Sequence, residues 1–128
     1  MNVVDSSGWV EYLGGGPNAG FFAPPIEDAG SIVVPSICIF EVFHWVMRNR
    51  GEEQAVEAAA LMRQGLVVAL DEELAIEAAA VSIDSDLPMA DSIILTTARA
   101  YDATIWTQDA HFRDIEGVKY VEKRKKKV

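Results

Sequence analysis

Near its start the chain runs Asn2-Val3-Val4-Asp5-Ser6-Ser7, two β-branched residues leading into an acid and two hydroxyls. A short apolar run without alternation predicts a strand buried on both faces, as inside a parallel sheet. Asp5 then stands at the carboxyl end of a central strand, the edge where open α/β sheets bind ligands. A carboxylate there is solvated, caps the next helix or holds a cation. Asp and Ser are favoured N-caps, so the cap reading is strong for this stretch alone. Three further acids, each in a similarly unusual place, move the balance toward a cation.

The 128 residues suffice for one domain with one core. No apolar run has the length of a membrane span, and no basic-then-apolar leader opens the chain. The single cysteine, Cys38, excludes an internal disulfide, lies in an apolar run and fits a reducing cytoplasm. No Cys/His cluster has zinc spacing. The net charge of −9 is unevenly spread. Residues 1–118 hold 5 Arg, no Lys and 19 acids, a net −14, whereas residues 119–128 carry +5. An acidic body argues against nucleic-acid binding by bulk electrostatics. Action on phosphodiesters would need metal ions and a few Arg to offset repulsion.

Taken in order, Ser6-Ser7 can cap a short helix over Gly8–Leu13, ended by Gly14-Gly15-Gly16-Pro17. The pattern Gly14-x-Gly16-x-x-Ala19 follows a helix, whereas a dinucleotide loop requires a preceding strand. Residues 18–29 read as a helix interrupted by Pro24-Pro25, with Gly30 at its end. A second buried strand covers residues 31–35, and Ser36 caps a helix through Arg50. Gly51 separates it from a helix over residues 52–64, forming a helical hairpin. A third strand covers residues 66–70. Asp71 caps a helix to about Ile83, and Leu87-Pro88 opens another to about Tyr101. A fourth strand, residues 103–107, a short helix at residues 110–113 and a fifth strand at residues 118–121 complete the pattern. Strands separated by helices predict a three-layer α/β/α sandwich around a central parallel sheet of about five strands. Residues 1–121 form the expected domain and residues 122–128 a basic tail.

Glu41 is the only ionised residue between Ser36 and Met47. A helix apolar all round is a buried helix, where a lone carboxylate costs several kcal/mol unless it is paired or bound to metal. An ion pair with Arg48 or Arg99 is the simpler reading. Asp91 shares a helical stripe with Ile94, Leu95 and Ala98, and lies in a first turn where the helix dipole favours an anion. Asp109 emerges after the fourth strand beside Thr107, as Asp5 emerges beside Ser6; it too could simply cap a helix. Asp114 either reaches the same edge or is solvated. His44 reads as a core or interface residue. His111 either points at the site or is exposed on its short helix, and Arg99 either pairs with a site acid or binds phosphate. Four converging acids repel one another and take up protons unless a cation intervenes. Oxygen ligands suit Mg²⁺ or Mn²⁺, one or two ions of which can activate water and steady a phosphoryl transition state.

Four stretches carry a resemblance: Val3-Val4-Asp5-Ser6-Ser7-x-Trp9, Pro35-x5-Glu41, Leu87-x2-Ala90-Asp91-x-Ile93 and Thr107-x-Asp109-x-x-Phe112. In order and spacing the chain resembles a PIN-domain ribonuclease, specifically a VapC-type toxin of a toxin–antitoxin pair, over residues 2–121. The resemblance implies that Asp5, Glu41, Asp91 and Asp109 bind metal, with Ser6 and Thr107 as supporting hydroxyls. It implies cleavage of an RNA substrate with Mg²⁺ or Mn²⁺, a homodimer and a cognate antitoxin. The chain departs from the family in its few basic residues over the body and in its basic tail. RNA contacts are therefore expected at Arg48, Arg99, Lys123, Arg124 and Lys125. The apolar hairpin over Ile37–Leu61 is expected to cover a homodimer or antitoxin interface.

Two other readings stand beside this one. A phosphate-receiving signalling domain could use Asp71 as acceptor, but it needs a late-fold Lys and the first Lys is Lys119. A non-catalytic RNA- or protein-binding module would keep the fold, but four converging acids would hinder RNA binding.

Overall fold

A computed structural model describes residues 1–125; Lys126, Lys127 and Val128 of the expected tail lie outside the described residues. Among the described residues five strands form, β1 (Asn2–Val4), β2 (Val33–Pro35), β3 (Leu66–Val68), β4 (Thr104–Thr107) and β5 (Val118–Tyr120). All pair in parallel, but not as one continuous sheet. β1, β4 and β5 form a three-stranded sheet in the order β1-β4-β5, and β2 and β3 form a second, two-stranded one. A single bridge between Asn2 and Ile32 joins them. The expected five-stranded sheet is thus divided where β1 passes β2. Val3 and Val4 point to opposite faces of β1, yet both are fully buried. Helices therefore cover both faces, which explains why the strand is apolar without alternation. β3 lies at an edge and leaves Leu66 and Val67 exposed.

Among the described residues six α-helices pack on this frame: α1 (Ser6–Leu13), α2 (Ala19–Ile26), α3 (Ser36–Arg50), α4 (Glu52–Met62), α5 (Glu72–Ser85) and α6 (Met89–Ala100). α1 begins two residues before the expected Gly8 because Asp5, not Ser6 or Ser7, is its N-cap. Pro35 likewise precedes α3, leaving the Ser36 hydroxyl to accept the Leu70 N–H at 3.2 Å. Asp71 caps α5 as expected, its carboxylate accepting the Leu74 N–H at 2.8 Å.

Pro24 and Pro25 lie inside α2, which stops at Ile26. Buried Phe22 and Ile26, four residues apart, hold this short helix against the core. Gly8 permits the approach: a Cβ there would stand 2.6 Å from both Phe22 and Val4 side chains. α6 is buried along most of its length, and its hydroxyls bond back to its own carbonyls, Thr96 to Ser92 at 2.7 Å and Thr97 to Ile93 at 2.8 Å. Such bonding lets polar residues enter a core without unpaired groups.

α3 is not apolar-buried all round. Only Cys38, Val42 and Val46 are buried along it, while Phe40 is 69 % exposed and Met47 is also exposed. His44 is exposed with them and stacks on Phe40, ring centroids 5.9 Å apart. Among the described residues no helix is long and apolar enough to cross a membrane.

Candidate active site

Asp5 leaves the carboxyl end of β1 and is 2 % exposed. One carboxylate oxygen, Oδ1, accepts the Gly8 N–H at 2.9 Å and the Ser7 hydroxyl at 2.8 Å. The other, Oδ2, accepts the Thr107 hydroxyl at 2.6 Å. Asp5 is thus both a helix cap and a strand-end acid, which the sequence presented as alternatives. β1 and β4 are parallel, with Val4 opposite Trp106, so their carboxyl ends deliver Asp5 and Thr107 side by side. Burial raises the Asp5 carboxyl from 3.8 to about 6, against the lowering effect of its three hydrogen bonds, and the charge of Asp109 adds to the rise.

Thr107 also accepts the Asp109 N–H at 2.8 Å, linking the two strand-end acids through one hydroxyl. Asp109 caps the 3₁₀ turn Ala110–Phe112 by accepting the His111 N–H at 2.9 Å. The His111 ring then turns back onto the acids, its Nδ1 2.9 Å from Asp91 and 3.1 Å from Asp109. Asp91 lies in the first turn of α6. Burial and then the charge of Asp109 raise it to about 6, opposed by the bond from His111. The same charges, Asp109's first, raise the His111 pKa.

Glu41, on α3, accepts the Ser6 hydroxyl at 2.7 Å. The ion pair with Arg48 or Arg99 does not form among the described residues. The charges of Asp5, Glu41 and Asp91 all press on the thiol of buried Cys38, which burial itself pushes well above the ordinary thiol range. Hydrogen bonds through Thr107 and His111 thus link Asp5, Asp109 and Asp91, while Glu41 is bonded to Ser6, the residue next to Asp5. Carboxylate oxygens of Asp91 and Asp109 and a ring nitrogen of His111 lie within 4.8 Å of one another, a group able to hold a cation.

Other candidates lie apart. Asp114 is exposed and makes no side-chain hydrogen bond or ion pair to the acids among the described residues. Arg99 is exposed near the far end of α6, eight residues and roughly 12 Å along the helix axis from Asp91. Arg48 is exposed on the apolar side of α3. Arg124 is committed within the chain: its Nε donates to Asn18 Oδ1 at 2.9 Å and its Nη2 to the Pro17 carbonyl. Sequence reasoning missed the buried pair Asn18 and Gln108, which carries no local motif. For His111 the two readings left open are both realised, since the ring is 58 % exposed and also bonds the site.

A parallel sheet flanked by helices, with acids gathered at the carboxyl ends of β1 and β4, defines an α/β domain with a carboxylate-lined site. Residues 3–118 match the PIN domain, and the chain belongs to that family. No curated protein matches it. Among solved structures it is similar to a toxin–antitoxin complex from Klebsiella pneumoniae, with 20 % identity, a TM-score of 0.76 and 92 % and 95 % of the two chains covered. It is also similar to VapC20 of Mycobacterium tuberculosis, described as a sarcin–ricin-loop-cleaving toxin, with 17 % identity, a TM-score of 0.77 and coverage of 91 % and 95 %. VapBC2 from Rickettsia felis, bound to a fragment of promoter DNA, aligns with 14 % identity, a TM-score of 0.71 and coverage of 94 % and 97 %.

Proposed function

We propose that this chain is a metal-dependent endoribonuclease and the toxin of a toxin–antitoxin pair, with Asp5, Glu41, Asp91 and Asp109 as the metal-binding acids. The observation that carries this reading is the linked set of acids: Asp91 and Asp109 lie with His111 within 4.8 Å of one another, Thr107 ties Asp109 to buried Asp5, and burial with the charge of Asp109 lifts Asp5 and half-buried Asp91 to about 6. A set of carboxylates so disposed is costly to ionise alone and favourable to ionise around a hard cation. The donors fit Mg²⁺ or Mn²⁺, one or two ions, since they are oxygens with one imidazole beside them. When bound, such a cation supplies Lewis-acid neutralisation of phosphate charge.

The chain's own residues orient this set. Thr107 donates to Asp5 and accepts from the Asp109 backbone, so one hydroxyl sets the relative position of two acids. Ser6 aims Glu41. His111 bridges Asp91 and Asp109 and offsets part of their charge. Likeness to toxin structures supports the toxin assignment, an antitoxin partner and an RNA substrate. The exposed apolar side of α3, with Phe40 and Met47, supports a homodimer or antitoxin surface.

Incubation of the pure protein with structured RNA tests the reading. Cleavage is expected with Mg²⁺ or Mn²⁺, none in EDTA and none by a folded Asp91→Asn variant at matched Mg²⁺. Equal cleavage by Asp91→Asn would remove the site assignment.

A further inference from the structure

Asn18 is 2 % exposed and stands at the N-terminus of α2. Asn is a favoured N-cap, yet its side chain makes no cap bond to that helix. Its capacity goes elsewhere. One amide group, Nδ2, donates to Gln108 Oε1 at 3.0 Å and to the Glu122 carbonyl at 3.0 Å. Oδ1 accepts from Arg124. The Asn18 backbone N–H donates to Glu11 Oε2 at 2.8 Å. That carboxylate lies over Gly16, where a Cβ would stand 2.2 Å from Glu11 Oε1. The loop before α2 is therefore shaped so that Glu11 can hold Asn18 in place.

Gln108 is 5 % exposed and sits between two site residues, Thr107 and Asp109. Alternate residues of an extended segment point to opposite sides. Fixing Gln108 toward Asn18 therefore fixes the rotation that turns Thr107 and Asp109 toward Asp5 and His111. The C-terminal segment closes the other side: the Val121 N–H donates to the Thr107 carbonyl at 3.0 Å, and the next residue, Glu122, meets Asn18. The end of β4 is held between Asp5 in front and the Asn18–Gln108 pair behind.

We propose that Asn18 is a positioning residue of the metal site, acting through Gln108 and secured by the C-terminal segment at Glu122 and Arg124. This rests on the metal-dependent reading above. Groups that orient metal ligands from behind typically change affinity by about 10–100-fold when removed. Asn18 acts one residue further back, so the lower end of that range, about 10-fold, is expected.

Mn²⁺ binding to the full chain, followed by calorimetry and by the paramagnetic resonance of free Mn²⁺, provides a readout independent of RNA cleavage. Asn18→Ala and Gln108→Leu should each weaken Mn²⁺ about 10-fold, and the double variant should lose no more than either single one. Tyr12→Phe removes only the exposed Tyr12–Glu27 hydrogen bond and should leave Mn²⁺ affinity unchanged. In cleavage assays the two variants should lower kcat and leave KM unchanged. Wild-type Mn²⁺ affinity in either folded variant, or losses that simply add in the double one, would overturn the positioning role alone. No Mn²⁺ binding by the wild type would overturn both the metal reading and the proposal.

Discussion

Replacing Asp5 with Asn should stabilise the metal-free protein at pH 8 and progressively less as the pH falls. The Asp5 carboxyl is lifted from 3.8 to about 6 by burial, so the folded chain binds this proton more tightly than the unfolded chain. Its favourable contribution is complete below 3.8 and is lost as the pH rises through about 6. The whole shift corresponds to about 3 kcal/mol. Asn keeps the cap on Gly8, because Asn and Asp cap equally well. It presents the Thr107 hydroxyl with a donor in place of an acceptor, a loss of about 1 kcal/mol. The net gain at pH 8 in EDTA is then about 2 kcal/mol, shrinking to about 0.5 kcal/mol at pH 5.

Urea unfolding followed by tryptophan fluorescence, at pH 5 to 8, measures the difference directly. Asp91 and His111 also bind protons more tightly in the folded state, so both proteins should gain stability on acidification within this window. The difference between them isolates Asp5. Saturating Mn²⁺ should reverse the order: at 100 times Kd the wild type gains about 2.7 kcal/mol that the variant largely lacks. A difference independent of pH, or a variant less stable than the wild type at pH 8 in EDTA, would refute the reasoning.

Gly8→Ala should destabilise the fold by about 1–3 kcal/mol through overpacking, read by the same unfolding assay, because its Cβ meets Phe22 and Val4 at 2.6 Å. In RNA binding by an Asp5→Asn form, Lys123→Gln and Lys125→Gln should each flatten the log–log salt slope by about 0.7. Arg124→Gln should leave the slope unchanged, since Asn18 and Pro17 already occupy this guanidinium.

The residues that declared themselves in the sequence did so through a mismatch between type and setting. Asp91 lies on the stripe of Ile94, Leu95 and Ala98, and all three of those neighbours are buried. Val3 and Val4 lack alternation because both faces of β1 are covered. Glu41 was found through an expectation that failed: α3 buries one side only. Apolar composition marks a surface removed from water but not whether the same chain covers it. Of the two readings of Arg99, the pairing with a site acid does not form among the described residues. Asn18 was illegible because its partners Gln108 and Glu122 are 90 and 104 residues away. Nor does any local pattern show that β1 and β2 meet at a single bridge, so five strands were foreseen but not their division.

The charge distribution leads to one further expectation for the proposed nuclease. Among the described residues, the site's acids have only the exposed His111 as an ionic partner. The chain has no Lys before Lys119, and Arg124 is occupied within the protein. Phosphates approaching the acids therefore meet uncompensated negative charge, and with a Debye length of about 8 Å at physiological salt that repulsion is strongest at the site itself. Divalent cations should then be required for RNA to bind there, as well as for it to be cut. With all four acids intact and a short RNA whose linkages resist hydrolysis, affinity should rise as Na⁺ is replaced by Mg²⁺ at constant ionic strength. Counterion release alone predicts the opposite, because divalent cations compete for phosphates. Fluorescence anisotropy over such a series separates the two. A monotonic fall in affinity with Mg²⁺ would show that the RNA is held by contacts away from the acids.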